Sequence, residues 1–146
     1  MILNTTNVAN QIEDSNFKTI MKKIINSKNA PAPIGPYNQA VLKNGFLFTS
    51  GQIAINPESG KLIISDIVKE TTQVMKNVAA VLAEAEMDFS HVIKTTIFIA
   101  NMEDFAEINK VYGSYFDEKT APARETVEVA NLPKYVNVEI SVIAAK

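Results

Sequence analysis

One arginine stands among thirteen lysines: Arg124 is the chain's single guanidinium. A lysine serves wherever a point charge suffices, whereas a planar fork that grips a carboxylate through two parallel hydrogen bonds cannot be replaced by an ammonium. The chain is also rich in Asn, Ile and Lys, as an AT-rich coding sequence would make it, and that pressure removes arginine for reasons unrelated to chemistry. Arg124 is therefore either an anchor for an anionic ligand or a structural ion-pair partner. The rest of the inventory is narrow. With no cysteine and one histidine, His91, the chain has no means for disulfides, thiol nucleophiles or zinc clusters, and little for a charge-relay triad. His91 precedes a strand-like run, has no His or Cys neighbour in sequence, and reads as a solvated or capped residue rather than a metal ligand. Gly60-Lys61 lacks the upstream glycine spacing of a phosphate loop. Chemistry here must rest on carboxylates, hydroxyls, amides, lysines and one arginine.

Charge and length narrow the field further. Fourteen basic and sixteen acidic residues give a net charge of -2, with no block of like charge longer than two. A nucleic-acid-coating or membrane-surface protein needs a dense cationic face, and none is present. At 146 residues and 47% apolar composition, the chain suits one domain with a substantial core. Residues 1–20 are polar and without apolar period, so they read as an N-terminal extension to a domain over 21–146. They match neither a secretory signal nor a mitochondrial presequence, and no run has the length of a membrane span. The expected address is the cytoplasm.

The elements that must position the chemical residues follow from periodicity and punctuation. A short strand is expected over 22–26, then a stiff proline-rich loop from Ala30 to Tyr37. Asn44-Gly45, between apolar runs 40–42 and 46–48, is a hairpin signal, because a type I′ turn needs two residues at positive φ. The second hairpin strand is expected to run on to Ile53, and a short strand is expected over 62–64. Apolar residues spaced by three and four from Ile67 to Ala85, behind Ser65-Asp66, predict a helix over 67–86. The β-branched run 92–100 predicts a buried strand. A second helix carries Phe105, Ile108, Val111, Tyr112, Tyr115 and Phe116 on one stripe. Strands over 123–130 and 137–144 complete the chain.

This order predicts an α+β domain: a mixed, largely antiparallel six-stranded sheet with two helices covering one face. Alternation along the last two strands puts Arg124, Thr126 and Glu128 on one side of the first, and Asn137, Glu139 and Ser141 opposite the aliphatic side of the second. We expect Arg124, Thr126, Glu139 and Ser141 to share the face without helices. That mixture is too apolar for bulk water and too polar for a core, so it is expected to pack against another copy of the chain.

Several of these runs closely resemble the Rid family, and within it the RidA (YjgF) subfamily. They are Asn29 to Ala40 (NAPAPIGPYNQA), Thr49 to Ile53 (TSGQI), Val92 to Thr96 (VIKTT), Ala121 to Val129 (APARETVEV), Leu132 to Lys134 (LPK) and Val138 to Ile140 (VEI). The resemblance spans Met21 to Lys146. It implies a chorismate-mutase-like fold assembled as a homotrimer, with the sheets forming an inner barrel, the helices outside, and three sites at the subunit clefts. The implied reaction is hydrolytic deamination of 2-iminobutanoate and 2-iminopropanoate to 2-oxo acids and ammonia, without cofactor or metal. Such imines are released by pyridoxal-phosphate dehydratases acting on threonine or serine. Arg124 falls at the position of the carboxylate-binding arginine and Glu139 at that of the glutamate that activates water. Tyr37 matches the tyrosine of the Gly-Pro-Tyr motif, Ser50 and Gly51 the strand end lining the pocket, Asn109 a helical polar residue, and Thr126 a donor beside the arginine. Each also has a plain structural explanation: a packing aromatic, a bulge, an exposed helical amide. Three positions depart from the pattern: Glu125 where a small residue is common, Thr126 in place of cysteine, and Asn131 where a second arginine is frequent. Other activities implied by relatives are endoribonuclease or translation inhibition, and a non-catalytic trimer that binds small carboxylates or acts as a chaperone-like surface.

Overall fold

In the computed structural model, which describes residues 21–146, Asn44 and Gly45 take φ of 52° and 79°. They join β2 (Ala40–Lys43) to β3 (Phe46–Thr49) through the left-handed pair that the hairpin requires. The extension assigned to residues 1–20 lies outside the described residues. The other strands are β1 (Lys23–Ile25), β4 (Val92–Ile99), β5 (Ala123–Glu128) and β6 (Val138–Ala145), and the helices are α1 (Ile67–Glu84) and α2 (Phe105–Gly113). The strands form one six-stranded mixed sheet in the order β1-β2-β3-β6-β4-β5, in which β4 and β5 are the parallel pair. This is the α+β architecture the sequence predicts.

Both helices cover the same side of the sheet. Val74, Met75, Val78, Val81 and Leu82 from α1, with Ile108 and Tyr112 from α2, bury against Leu47, Ile97, Ile99, Ile140 and Val142. Asp66 caps α1 by accepting from the Lys69 N–H at 2.8 Å. The helix stops at Glu84 rather than Glu86. Glu86 turns left-handed at φ 57°, its N–H bonds to Ala83 O at 2.9 Å, and the Met87 N–H bonds to Leu82 O at 2.9 Å. That is a Schellman closure without the usual glycine. Helix α2 ends at Gly113, yet Tyr115 and Phe116 still pack against Phe89, tilted and edge-on, at centroid distances of 5.1 and 5.3 Å.

Two expected strand segments are absent. Strand β3 ends at Thr49, after which the Ser50 N–H bonds to Gln39 O and Gln52 makes a lone bridge to Ile140. The strand expected over 62–64 reduces to a single bridge between Ile55 and Leu62. It closes a turn in which the Asn56 side chain accepts from the N–H groups of Glu58 and Ser59.

The other side of the sheet carries no helix. Across it runs the row Ile24, Val41, Phe48, Ile143, Lys94, followed by the rows Ser141, Thr96, Glu125 and Glu139, Phe98, Val127. Phe48 and Val127 are 48% and 42% exposed there.

Polar residues inside the helical stripe hold the sheet in place. Glu70, fully buried, accepts from the Asn137 N–H at 2.7 Å, the Asn137 side-chain amide at 2.8 Å and the Val138 N–H at 3.3 Å. Asn77, also fully buried, donates to Ile53 O and Ile55 O at 2.9 Å each. A Glu70→Ala variant strands those buried donors, and we expect it to lower unfolding free energy by roughly 2–4 kcal/mol, read from urea denaturation midpoints.

Candidate functional site

The proline-rich loop is fixed from beneath by a buried amide. The Gln39 side chain donates to the carbonyls of Ser27, Ala30 and Pro31, which share its two N–H groups, and accepts from the Ser27 N–H at 2.6 Å, so neither end of the buried amide lacks a partner. On this support Tyr37 turns back. Its N–H bonds to Gly35 O at 2.8 Å and its phenolic oxygen accepts from the Ile34 N–H at 3.2 Å, with the ring 46% exposed. Ser50 ties the loop to the end of β3 by donating its hydroxyl hydrogen to Asn38 O at 2.7 Å. Tyr37, Gln39 and Gly51 then line a small cavity of about 30 Å³.

Glu139 joins this group from β6. Its carboxylate lies directly over the α-carbon of Gly51: a β-carbon on residue 51 would fall 2.7 Å from Glu139 Cγ and nearer still to the carboxyl group. Glycine is needed here for close approach, not for an unusual φ. The carboxylate is half-buried with no basic residue paired to it among the described residues, and burial raises its pKa above the ordinary glutamate value. A glutamate tuned this way is better placed to take and return a proton near neutral pH than a fully solvated one.

Arg124 stands elsewhere. In register it aligns with Thr95, and Thr126 aligns with the buried Ile97, so both point to the helix-covered side. Glu139 aligns with Phe98 and Val127 on the opposite side. The expectation that Arg124 and Thr126 share a face with Glu139 and Ser141 is therefore incorrect. Alternation fixes which residues share a face within each strand but not the phase between strands, and β5 is an edge strand whose two sides differ little in burial.

On its own side, Arg124 is well organised. Its Nη1 donates to Asn109 Oδ1 at 2.7 Å, and the guanidinium lies 5.0 Å from the Tyr112 ring centroid and 5.9 Å from that of Phe105. The Tyr112 hydroxyl donates to Thr95 Oγ1 at 3.1 Å, and burial raises the phenol's pKa despite that bond and the nearby arginine. Among the described residues no carboxylate pairs with Arg124. Arg124, Asn109 and Tyr112 line a cavity of about 390 Å³ with Phe116, Glu118 and Pro122. Thr126 lies in the same register, and its hydroxyl is buried without a hydrogen-bond partner among the described residues.

The remaining predictions are simply placed. Glu125 faces away from Arg124, as alternation requires, and pairs with Lys94 and Thr96; the bond with Lys94 foremost lowers its pKa. His91 closes a capping box with Asp88. Among the described residues no cluster of His, Cys, Asp or Glu could hold a metal ion. Sequence reasoning missed Gln39, Asn77 and the role of Tyr112 as a platform for Arg124. Asn77 and Glu70, seven residues apart on an otherwise apolar stripe, were the available signal.

Comparison with known proteins settles the family. Residues 27–146 match the family described as Endoribonuclease L-PSP. The chain belongs to this family, known also as the Rid family. It is 54% identical to the RutC family protein slr0709 of Synechocystis over 84% of this chain and 95% of that one. It is 41% identical to the 2-iminobutanoate/2-iminopropanoate deaminase of Mus musculus, over 89% of this chain and 96% of that one. The crystal structure of the Rid family protein YyfA from Yersinia pestis, 50% identical, superposes with a TM-score of 0.83 over 86% of this chain and all of that one. The Rid fold is thus the fold of this chain.

Two outcomes follow from the Glu139–Gly51 contact. Gly51→Ala should displace the carboxylate and return its pKa, followed by carboxyl NMR titration, toward the ordinary value near 4.5. Because the folded pKa is raised, the stabilising contribution of protonated Glu139 is fully present below that ordinary value and is lost as pH rises through the folded pKa. The stability of the native chain relative to Glu139→Gln should therefore fall over that interval and level off above it.

Proposed function

We propose that the chain hydrolyses 2-imino acids, with 2-iminobutanoate and 2-iminopropanoate as the reference substrates, to 2-oxo acids and ammonia, in a homotrimer whose sites lie between subunits. The observation that carries this reading is a pair of complementary half-sites on opposite sides of one sheet. One half offers a guanidinium fork with no carboxylate partner among the described residues, and the other a half-buried carboxylate of raised pKa beside Tyr37 and Gly51. The helix-free sheet face, where Phe48 and Val127 stand exposed among polar residues, gives a second copy something to cover. When it does so, Arg124 of one subunit can face Glu139 of the next.

In that arrangement Arg124 binds the substrate carboxylate through two parallel N–H bonds of its guanidinium, with Asn109 and the Tyr112 ring holding the fork in place. Asn109 is thus a positioning residue for the arginine. The Thr126 hydroxyl, buried without a partner among the described residues, supplies a further hydrogen bond. Glu139 takes a proton from water as the water oxygen bonds to the imine carbon, and the imine nitrogen gains a proton. Collapse of the resulting carbinolamine, as its hydroxyl proton passes to the amine nitrogen, breaks the C–N bond and releases ammonia and the 2-oxo acid. Tyr37, held over the small cavity, and the Ser50–Gly51 backbone shape the space around the reacting carbon. Imines are electrophilic enough that orientation and one proton relay suffice. The mouse relative is named for this reaction. The work falls in the cytoplasm, beside the dehydratases that release such imines.

The endoribonuclease activity in the family's description fits the chain less well. The net charge is -2, and no basic stripe accompanies the single arginine.

Adding the protein to a threonine dehydratase reaction should shorten the lifetime of the imine, followed by trapping with semicarbazide. Arg124→Lys keeps the charge but loses the fork. A charged hydrogen bond contributes about 1.5–3 kcal/mol, so kcat/KM should fall roughly ten- to a hundredfold. An undiminished rate would remove the anchor role. Light scattering should give three times the 16.0 kDa chain mass, and a monomer would sink the shared site.

A further inference from the structure

The Tyr37 side of the site does not end at the small cavity beside Gly51. Pro31, Ala32, Ile34 and Ile55 line that cavity and also wall a second one of about 420 Å³, completed by Pro57, Leu62 and Lys134 among others. At about 30 Å³ the first has room for a methyl group or a water. The second reaches the size of ordinary small-molecule pockets, roughly 300–1,000 Å³. Its lining is mostly apolar, with Lys134 its one charged residue.

The dividing wall is built to keep its shape. Asn77 pins the carbonyls of both Ile53 and Ile55 from the core, and Gln39 pins those of Ala30 and Pro31. The far rim is held under strain. Lys134 and Tyr135 are consecutive non-glycine residues in the left-handed region, at φ 56° and 54°, between the buried Leu132 and Val136. Such conformations persist only where the surroundings over-determine them, and they concentrate at ligand sites. Lys134 can lay its aliphatic stem along the wall with its ammonium in water, which admits an apolar group and repels a cationic one.

We propose that this cleft is the side-chain subsite of the enzyme, and that its preferred substrates are 2-imino acids with a branched aliphatic or aromatic side chain rather than a methyl or ethyl group. The inference rests on the imine-hydrolysis reading and adds the substrate class. The carboxylate and the reacting carbon stay with Arg124, Glu139 and Gly51, while the side chain passes over the shared Ile34–Ile55 wall into the larger space.

The test generates imines in situ with an L-amino-acid oxidase acting on alanine, leucine, phenylalanine or arginine, and follows their removal by the full-length protein through semicarbazide trapping. The leucine- and phenylalanine-derived imines should show kcat/KM at least tenfold above the alanine-derived one; equal or reversed values overturn the subsite. Leu62→Trp, which fills the cleft, should lower the leucine-to-alanine ratio at least tenfold, and an unmoved ratio in a folded variant overturns it. Should the tryptophan disturb folding, Lys134→Glu on the exposed rim should raise the arginine-to-leucine ratio at least fivefold, and no change there counts equally against the cleft. Calorimetric binding of 4-methyl-2-oxopentanoate and 2-oxopropanoate separates the two ideas. Tighter binding of the branched acid without turnover of any imine would sink the hydrolysis reading and support the cleft. Turnover of small imines with no preference for the branched acid would sink the cleft alone.

Discussion

Glu139 lies so close over the backbone of residue 51 that no side chain fits between them. A carboxylate in that position exchanges much of its hydration for a wall of backbone, and its raised pKa is the electrostatic consequence. The contact depends on elements far apart in sequence. Glu70 on α1 holds the start of β6, Gln52 bridges to Ile140, and Gln39 holds the loop that brings Tyr37 alongside. Two buried polar side chains, Glu70 and Gln39, thus help determine where the Glu139 carboxylate and the Tyr37 phenol come to rest.

The second constraint is the sheet itself. Arg124 and Glu139 occupy strands separated by β4, yet they stand on opposite sides. Each is provided for separately: the guanidinium by Asn109 and two aromatic rings, the carboxylate by Gly51. A division of this kind makes sense in a molecule that completes its sites on assembly. The helix-free face that would be covered in the process bears the same rows of residues that include Glu139. Association and site formation would then be one event, and the stability of the site would depend on protein concentration.

Departures from the family pattern can be placed against this frame. Glu125 lies across the sheet from Arg124 and is occupied by Lys94 and Thr96, so its charge is neutralised away from the fork. Thr126 sits on the arginine's side, where a hydroxyl in place of a thiol leaves a donor and an acceptor without a partner among the described residues. The first substitution lies on the helix-free side of the sheet, and the second on the side that carries the guanidinium.

Much of the fold was legible because local chemistry dictates it. Asn44-Gly45 forces a hairpin, the stripe from Ile67 to Leu82 makes a helix, and the β-branched run from Val92 to Ile99 makes a strand, whatever surrounds them. The residues able to do chemistry were also visible, because composition leaves one arginine and no thiol. Their arrangement was not visible. Whether Arg124 and Glu139 share a face depends on the register between β4 and its two neighbours, which is a product of packing across the whole sheet. The contraction of the expected strands at 50–53 and 62–64 to single bridges has the same origin, since a strand exists only where a partner's hydrogen bonds are free to meet it. Residue type and spacing determine which groups are present and what local shapes carry them; only the assembled sheet decides which groups meet, because facing and register are properties of pairs of strands rather than of any one of them.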